Sequence, residues 1–145
     1  EGEEVYRSLL DNREERILII SHQDGALVNA LQRRAAVVLQ KSIREGFGLT
    51  VTEAMWKGSA VIGGNVGGIR HQIEDGVNGL LVSSIDEAAE GIVRLLGDAE
   101  LRQRLGEAAR ETVRKHFLLT RYLEQYLDLF NSFVPDFRLE KPIGG

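Results

Sequence analysis

Four short apolar runs, separated by segments of helical periodicity, constrain the fold of this chain most strongly. They are Ile17–Ile20, Ala36–Gln40, Ala60–Ile62 and Leu80–Val82. Each is almost continuously apolar instead of alternating with polar residues, which is typical of strands buried on both faces of a parallel sheet. Helices between such strands cover the sheet on both sides. The pattern therefore predicts an α/β fold, a Rossmann-like parallel sheet with flanking helices.

The helical segments follow from apolar spacing and from capping residues, among them Asp98 as an N-cap after Gly97. Both prolines, Pro135 and Pro142, lie near the end of the chain. We therefore predict one domain over residues 1–131 and an extended tail over 132–145. The predicted helices cover residues 3–11, 27–35, 49–57, 69–73, 85–96, 99–116 and 120–130.

The composition excludes several classes of function. A net charge of -4 gives no basic surface for nucleic acid, and no apolar run approaches the roughly 20 residues that a membrane helix needs. The chain has no cysteine, which is typical of an intracellular protein, so a cytoplasmic location is expected. The three histidines have no metal-ligand spacing, and no metal site is predicted.

A glycine-bearing loop connects the second apolar run to the next predicted helix. Gly46 and Gly48 lack side chains, so a bulky ligand can lie against their backbone. The helix that starts near Leu49 presents free N–H groups and a positive dipole end to an anion. Ligands bind at this carboxyl end of the strands in open parallel sheets. Such junctions also occur for packing reasons, so the loop alone does not decide function.

Two carboxylates flank this junction. Glu45 lies in the loop and Glu53 lies one turn into the helix, with seven residues between them. Carboxylates accept hydrogen bonds from hydroxyl groups, which suits a ribose at one position and a hexose at the other. The alternative for Glu53 is an ion pair with Lys57 on a solvated helix face.

At these residues the sequence resembles the retaining glycosyltransferases of the two-Rossmann-domain (GT-B) fold. The resemblance rests on K-S-I-R-E-G-F-G-L-T-V-T-E-A-M-W-K-G, which holds that family's E-x7-E signature, and on V-G-G-I-R-H-Q-I-E-D-G-V-N-G-L-L-V. With V-N-A-L-Q-R, the first stretch is most similar to trehalose synthases, which join a nucleoside-diphosphate glucose to glucose. Asn29 and Gln32 of that helix could bind a ligand, cap, pack or face water.

The resemblance implies a role for each residue of the loop. Glu45 would contact hydroxyls of the transferred glucose near the reacting carbon, and Glu53 would hydrogen-bond the ribose. Phe47, Gly48 and Leu49 would approach the sugar and the diphosphate through their backbone. The nucleoside-diphosphate sugar is a substrate, so no cofactor is expected. Retention in this family is usually explained by attack from the face of departure, so Glu45 need not be a covalent nucleophile.

The resemblance also implies that the chain is an incomplete C-terminal domain of a GT-B glycosyltransferase. Such a domain begins with two further strands, beside a loop that usually supplies an Arg and a Lys for the leaving diphosphate. With the strand order 3-2-1-4-5-6, their absence would leave a gap in the sheet. We therefore expect the chain to be a fragment, to be rearranged, or to pair with another chain, for example as a homodimer. The resemblance also implies that the acceptor site lies on an absent N-terminal domain, so the fragment is expected to be inactive alone.

Three functions stay open at this point. The first is transfer of glucose to glucose to form trehalose. The second keeps the fold but is a trehalose phosphorylase or a transferase with another acceptor. The third is a non-catalytic nucleotide-binding module.

Other conspicuous residues are predicted to have structural roles. Gly67 and Gly68 would permit a tight turn between strand and helix. Trp56 would make a core or interdomain contact. The basic residues of the long helices would form a solvated face: Arg102, Arg104, Arg110, Arg114 and Lys115.

Overall fold

A computed structural model describes Ile20 and residues 24–133 of the chain. Helices and strands alternate as far as the third strand, and three helices follow. The elements are α1 (Gly25–Arg34), β1 (Val38–Gln40), α2 (Leu49–Trp56), β2 (Val61–Gly64), α3 (Ile69–Gln72), β3 (Leu80–Val82), α4 (Ile85–Gly97), α5 (Ala99–His116) and α6 (Leu119–Phe133). None of the helices within residues 24–133 is long and apolar enough to cross a membrane.

The three described strands form one parallel sheet in the order β1-β2-β3. Val38 pairs with Val61 across the first interface, and Ile62 pairs with Leu80 across the second. The predicted parallel sheet with flanking helices is confirmed. Because parallel strands end at the same edge of a sheet, the loop after β1 and the turn after β2 are neighbours.

Strand β2 is buried on both faces, which explains its continuously apolar sequence. Val61 belongs to a core cluster with Met55 of α2 and Val113 of α5. The next residue, Ile62, belongs to a second cluster that includes Leu95 of α4. Successive strand residues point to opposite faces. Helix α2 and the C-terminal half of α5 therefore cover one side of β2, and α4 covers the other side together with the N-terminal half of α5, which contributes Leu101 and Leu105.

Local capping fixes the start of the long helices. The Asp98 carboxylate accepts a hydrogen bond from the Leu101 N–H at 2.8 Å, so the predicted N-cap of α5 is confirmed. Among the basic residues predicted to form a solvated face, Arg102 is half-buried. Its guanidinium donates hydrogen bonds to the carbonyl groups of Leu95 and Leu96, the latter at 2.9 Å. These carbonyls lie at the end of α4, where a cation is favoured by the helix dipole.

Several predictions fall outside the described residues. They concern the helix over residues 3–11, the strand Ile17–Ile20 apart from Ile20 itself, and the part of the tail beyond Phe133. Among the described strands β1 pairs only with β2, but the predicted gap beside it depends on residues that the structure does not describe. The gap therefore stays a prediction. The division at residue 131 also stays a prediction, although α6 continues through that residue to Phe133.

Candidate functional site

The site begins in the loop that follows β1, where Glu45 is held by its neighbours. Its Oε2 accepts a hydrogen bond from the Ser42 hydroxyl at 3.3 Å, and its Oε1 accepts one from the Gly46 N–H at 3.1 Å. Ser42 in turn accepts a hydrogen bond of 2.8 Å from the Gln40 side chain at the end of β1. A carboxylate offers about four lone-pair positions, so the half-buried Glu45 keeps acceptor capacity for a ligand.

Gln40 and Ser42 were not predicted from the sequence as supports of Glu45. Both are polar residues at or just beyond the end of the partly exposed strand β1, where side chains face the carboxyl edge of the sheet. Ligands bind at the carboxyl ends of parallel strands, so the position of these two residues in the sequence could have indicated that they belong to the site.

Helix α2 starts without a side-chain cap. Its N-cap is Gly48, with φ 87° and ψ 57°, a left-handed conformation that glycine adopts without steric cost. Among the described residues, the backbone N–H groups of Leu49 and Thr50 have no hydrogen-bond acceptor. A helix end with open N–H groups favours an anion through both its donors and its dipole. The predicted helix start with free N–H groups is therefore present at Leu49.

Glu53 lies one turn into α2 on its solvent-facing side. The exposed side chains of Leu49, Glu53 and Trp56 follow each other at helical spacing, whereas Val51 and Met55 are buried. About 1.5 Å of rise per residue puts Glu53 roughly 6 Å along the axis from the helix start. The two carboxylates therefore lie at one junction, with the open N–H groups between them in sequence.

The ion pair between Glu53 and Lys57, which was the alternative role for Glu53, does not form. The Lys57 ammonium donates a hydrogen bond to Gln32 Oε1 instead. Within residues 24–133 the Glu53 carboxylate has no hydrogen-bond or ion-pair partner. Its acceptor positions are thus available to a ligand.

The side chain of Phe47 packs at the end of α5. Its ring meets Phe117, just after α5, edge to face with 5.8 Å between centroids. The residue is 40% exposed. The contact predicted between the Phe47 backbone and a ligand stays a prediction.

The turn after β2 and helix α3 form the back of the loop. The Gly68 N–H donates to the Glu45 carbonyl at 3.4 Å, and the Gln72 amide donates to the Phe47 carbonyl. A Cβ at Gly67 would lie 1.7 Å from the Glu45 carbonyl oxygen. The glycine pair does form a turn, but the turn is also in direct contact with the Glu45 loop.

The remaining predicted residues lie away from this junction. Gln32 is buried, and its carbonyl accepts a hydrogen bond of 2.6 Å from the Ser59 hydroxyl, so it packs and caps within the fold. Asn29 is exposed on α1. Trp56 is 40% exposed and lies under the Arg110 guanidinium at 5.5 Å, so it does not belong to the core. The other predicted role of Trp56, an interdomain contact, stays a prediction. No cluster of metal-ligating side chains is found in the described part of the chain.

Residues 3–112, which include the whole junction, match the family described as Glycosyl transferases group 1. The chain belongs to this glycosyltransferase family. Trehalose synthase from Pyrococcus horikoshii is 56% identical over 105 residues, 72% of this chain and 25% of that protein. Trehalose synthase from Rubrobacter xylanophilus is 50% identical over 111 residues, 76% of this chain and 26% of that protein. The chain thus spans about a quarter of the length of these relatives.

Solved structures give the same fold. The C-terminal domain of a glycosyl transferase group 1 family protein from Francisella tularensis matches with a TM-score of 0.71 and 26% identity, over 81% of this chain and 63% of that one. Sucrose-phosphate synthase from Thermosynechococcus elongatus matches with a TM-score of 0.79 and 27% identity, over 92% and 35%. HepE from Anabaena, solved with UDP-glucose, reaches 0.78 over 90% and 36%, and its 22% identity shows likeness of fold alone. The predicted GT-B C-terminal fold is confirmed.

Proposed function

We propose that a protein containing this chain transfers glucose from a nucleoside-diphosphate glucose to glucose and forms trehalose with retention of configuration. The observation that carries the proposal is the junction of β1 and α2. An oriented Glu45 lies there with helix N–H groups and a Glu53 carboxylate that have no partner among the described residues. Similarity to trehalose synthases supports the acceptor and the product. The nucleoside-diphosphate sugar bound by HepE supports the class of donor. The donor is consumed as a substrate, and the proposal includes no cofactor.

Each part of the junction meets one demand of the reaction. The sugar becomes positively charged and oxocarbenium-like as its bond to the diphosphate breaks. The Glu45 carboxylate, held by Ser42 and Gly46, would stabilise that charge and accept hydrogen bonds from sugar hydroxyls. The N–H groups of the Gly48–Leu49 backbone would offset the negative charge of the departing diphosphate. Glu53, farther along α2, would accept hydrogen bonds from the ribose hydroxyls.

Retention does not require Glu45 to attack the sugar. Attack by the acceptor from the face that the diphosphate leaves would retain configuration, with Glu45 stabilising charge. The Ser42 and Gly46 hydrogen bonds support this role, because they fix the orientation of the carboxylate in the loop.

The test uses a full-length protein that includes this chain, with a panel of nucleoside-diphosphate glucoses and glucose as acceptor. We expect Glu45→Gln to reduce kcat about 100-fold or more, because a charge interaction made in the transition state is lost. We expect Glu53→Gln to weaken nucleoside-diphosphate binding about tenfold. Glu90→Gln, on the exposed side of α4, is the matched control and should change neither quantity.

The same measurements separate the alternatives. Glucose release from trehalose and phosphate, without synthesis from the donor, would favour a phosphorylase. Turnover only with an acceptor other than glucose would favour a glycosyltransferase that forms a product other than trehalose. Nucleotide binding without turnover under any of these conditions would favour a non-catalytic module.

The proposal assigns no transferase activity to the 145 residues alone. The acceptor site is assigned to an N-terminal domain, and the similarity covers only about a quarter of each relative. A cytoplasmic location and pairing of two copies through an incomplete sheet belong to the same proposal. Trehalose formation by the isolated chain would refute this part of it.

A further inference from the structure

We propose that Gln72 is a positioning residue of the donor site, which holds the Phe47 carbonyl so that the Gly48 N–H faces the donor. The inference rests on the proposed function and assigns a determinant outside the β1–α2 junction. Gln72 is the last residue of α3 and is 2% exposed. Its side-chain amide reaches across 25 residues of sequence to donate to the Phe47 carbonyl.

The direction of the Gly48 N–H follows from this hydrogen bond. The Phe47 carbonyl and the Gly48 N–H belong to one planar trans peptide, in which C=O and N–H point in opposite directions. Because the carbonyl points back to α3, the Gly48 N–H points to the other side of the loop. Within the described residues that N–H has no hydrogen-bond acceptor. It joins the open N–H groups at the start of α2 as a donor for a sugar or a phosphate.

A second peptide of the same loop is oriented in the same way. The Glu45 carbonyl accepts from the Gly68 N–H, so the Gly46 N–H points away from the turn after β2. That N–H donates to the Glu45 carboxylate at 3.1 Å. The back of the loop thus fixes two carbonyls. On the opposite side, the Gly46 N–H orients Glu45, and the Gly48 N–H has no acceptor among the described residues.

Gln72 is itself held from α5. Asn78 is buried, and its side-chain amide donates to the Gln72 carbonyl at 3.2 Å and to the Thr112 hydroxyl at 3.0 Å. A polar network therefore connects α5, α3 and the donor loop. Rigid support of this kind is what holds a binding group in its productive geometry.

A packing role alone would not favour glutamine at this position. In the described part of the chain, Gln72 Oε1 is buried without a hydrogen-bond partner. An unpaired buried acceptor is unfavourable, and an apolar side chain of similar volume would avoid that cost. The amide is therefore explained by the single hydrogen bond that its nitrogen donates to the Phe47 carbonyl.

The test compares Gln72→Met with Gln32→Met in the full-length protein. Gln32 is a matched control because it is also buried, at 6% exposure, and also has one amide atom without a partner among the described residues. We expect Gln72→Met to lower kcat/KM for the donor about tenfold at a temperature where the protein is folded. Gln32→Met should lower the melting temperature without changing kcat/KM. Equal kcat/KM in the two variants would overturn the inference.

Gln72→Glu supplies a readout that a structural role would not give, and it carries the test if the methionine variant does not fold. Burial beside a carbonyl oxygen disfavours the ionised carboxylate and raises its pKa. The protonated side chain can donate to Phe47, whereas the ionised one cannot. The ratio of variant to wild-type kcat should rise as the pH is lowered from about 8 to about 5. A ratio independent of pH would contradict the role.

Hydrogen exchange of the loop separates failure of this inference from failure of the proposed function. If the wild-type protein transfers no sugar, the proposed function fails, but exchange at residues 42–49 still reports the loop. Faster exchange there in Gln72→Met than in Gln32→Met would support positioning by Gln72. Equal exchange in the two variants would overturn it.

Discussion

Replacing Gly67 with alanine is expected to displace the loop that carries Glu45. The new Cβ would lie 1.7 Å from the Glu45 carbonyl oxygen, whereas Cβ atoms essentially never come within 3.0 Å of a heavy atom outside their own residue and its chain neighbours. The two segments must therefore separate by roughly 1.3 Å. A misplacement of about 1 Å in a catalytic group can reduce turnover about 100-fold, so we expect a loss of that size in kcat.

The backbone strain of the same substitution can be measured separately. Gly67 has φ +47°, where an alanine costs about 1 to 2 kcal/mol. Gly76 has φ +73° with nothing within 4 Å of its Cβ position, so Gly76→Ala carries similar strain without a clash. Gly68→Ala would carry a clash without backbone strain. Its φ is -70°, and its Cβ would lie 2.3 Å from the Gly46 carbonyl oxygen.

The assay combines initial rates of sugar transfer with thermal unfolding in the full-length protein. We expect Gly67→Ala and Gly68→Ala to lose about 100-fold in kcat. Gly76→Ala should keep wild-type turnover although its free energy of unfolding falls by about 1 to 2 kcal/mol. If Gly67→Ala and Gly68→Ala turn over as fast as Gly76→Ala, contact between the two loops does not set the position of Glu45.

Two further predictions concern stability and pH. A Cβ at Gly106 would lie 2.1 Å from the Gly58 carbonyl oxygen, so Gly106→Ala should reduce the free energy of unfolding by about 1 to 3 kcal/mol in a melting experiment. Gly97→Ala, with nothing within 4 Å, is the control and should not be destabilised. Glu111 has a pKa of about 2, chiefly because the Arg114 side chain donates hydrogen bonds to its carboxylate. A pKa lowered in the folded state stabilises the protein above the ordinary value of 4.5, and the contribution is lost as the pH falls toward 2. Arg114→Gln should therefore raise the titration midpoint of the Glu111 carboxyl in an NMR titration, and an unchanged midpoint would contradict this cause.

The elements whose signals are local were predicted well from sequence. Strand β3 has the predicted bounds Leu80–Val82, and α5 has the predicted bounds Ala99–His116. The helix follows from a capping aspartate and a periodic apolar face, which act within a few residues. Strand β1 begins at Val38 and not at the predicted Ala36. The first residue of β1 is set by where its pairing with β2 begins, and the apolar character of residues 36–40 does not show where that is.

The candidate site was predictable as far as it lies in one continuous segment. Glu45, Gly48 and Glu53 belong to a single strand–loop–helix stretch, so their spacing already places them at one junction. The hydrogen-bond partner of Lys57 was not predictable in this way. Lys57 donates to Gln32, which is 25 residues away in sequence, and not to Glu53, which lies one turn before it on α2. A helix-face argument considers only the neighbours on its own helix.

The contact between the glycine turn and the Glu45 loop could have been inferred from topology, although composition could not show it. Gly67 and Gly68 suggested a tight turn because glycine is common in turns. Once β1 and β2 are adjacent parallel strands, about 4.8 Å apart, the segments that leave their carboxyl ends are equally close. Little room for a side chain then remains between two such segments, and glycine becomes necessary at the point of contact. The pair therefore serves the turn and the site together, since the absence of two side chains lets α3 and its Gln72 reach the donor loop.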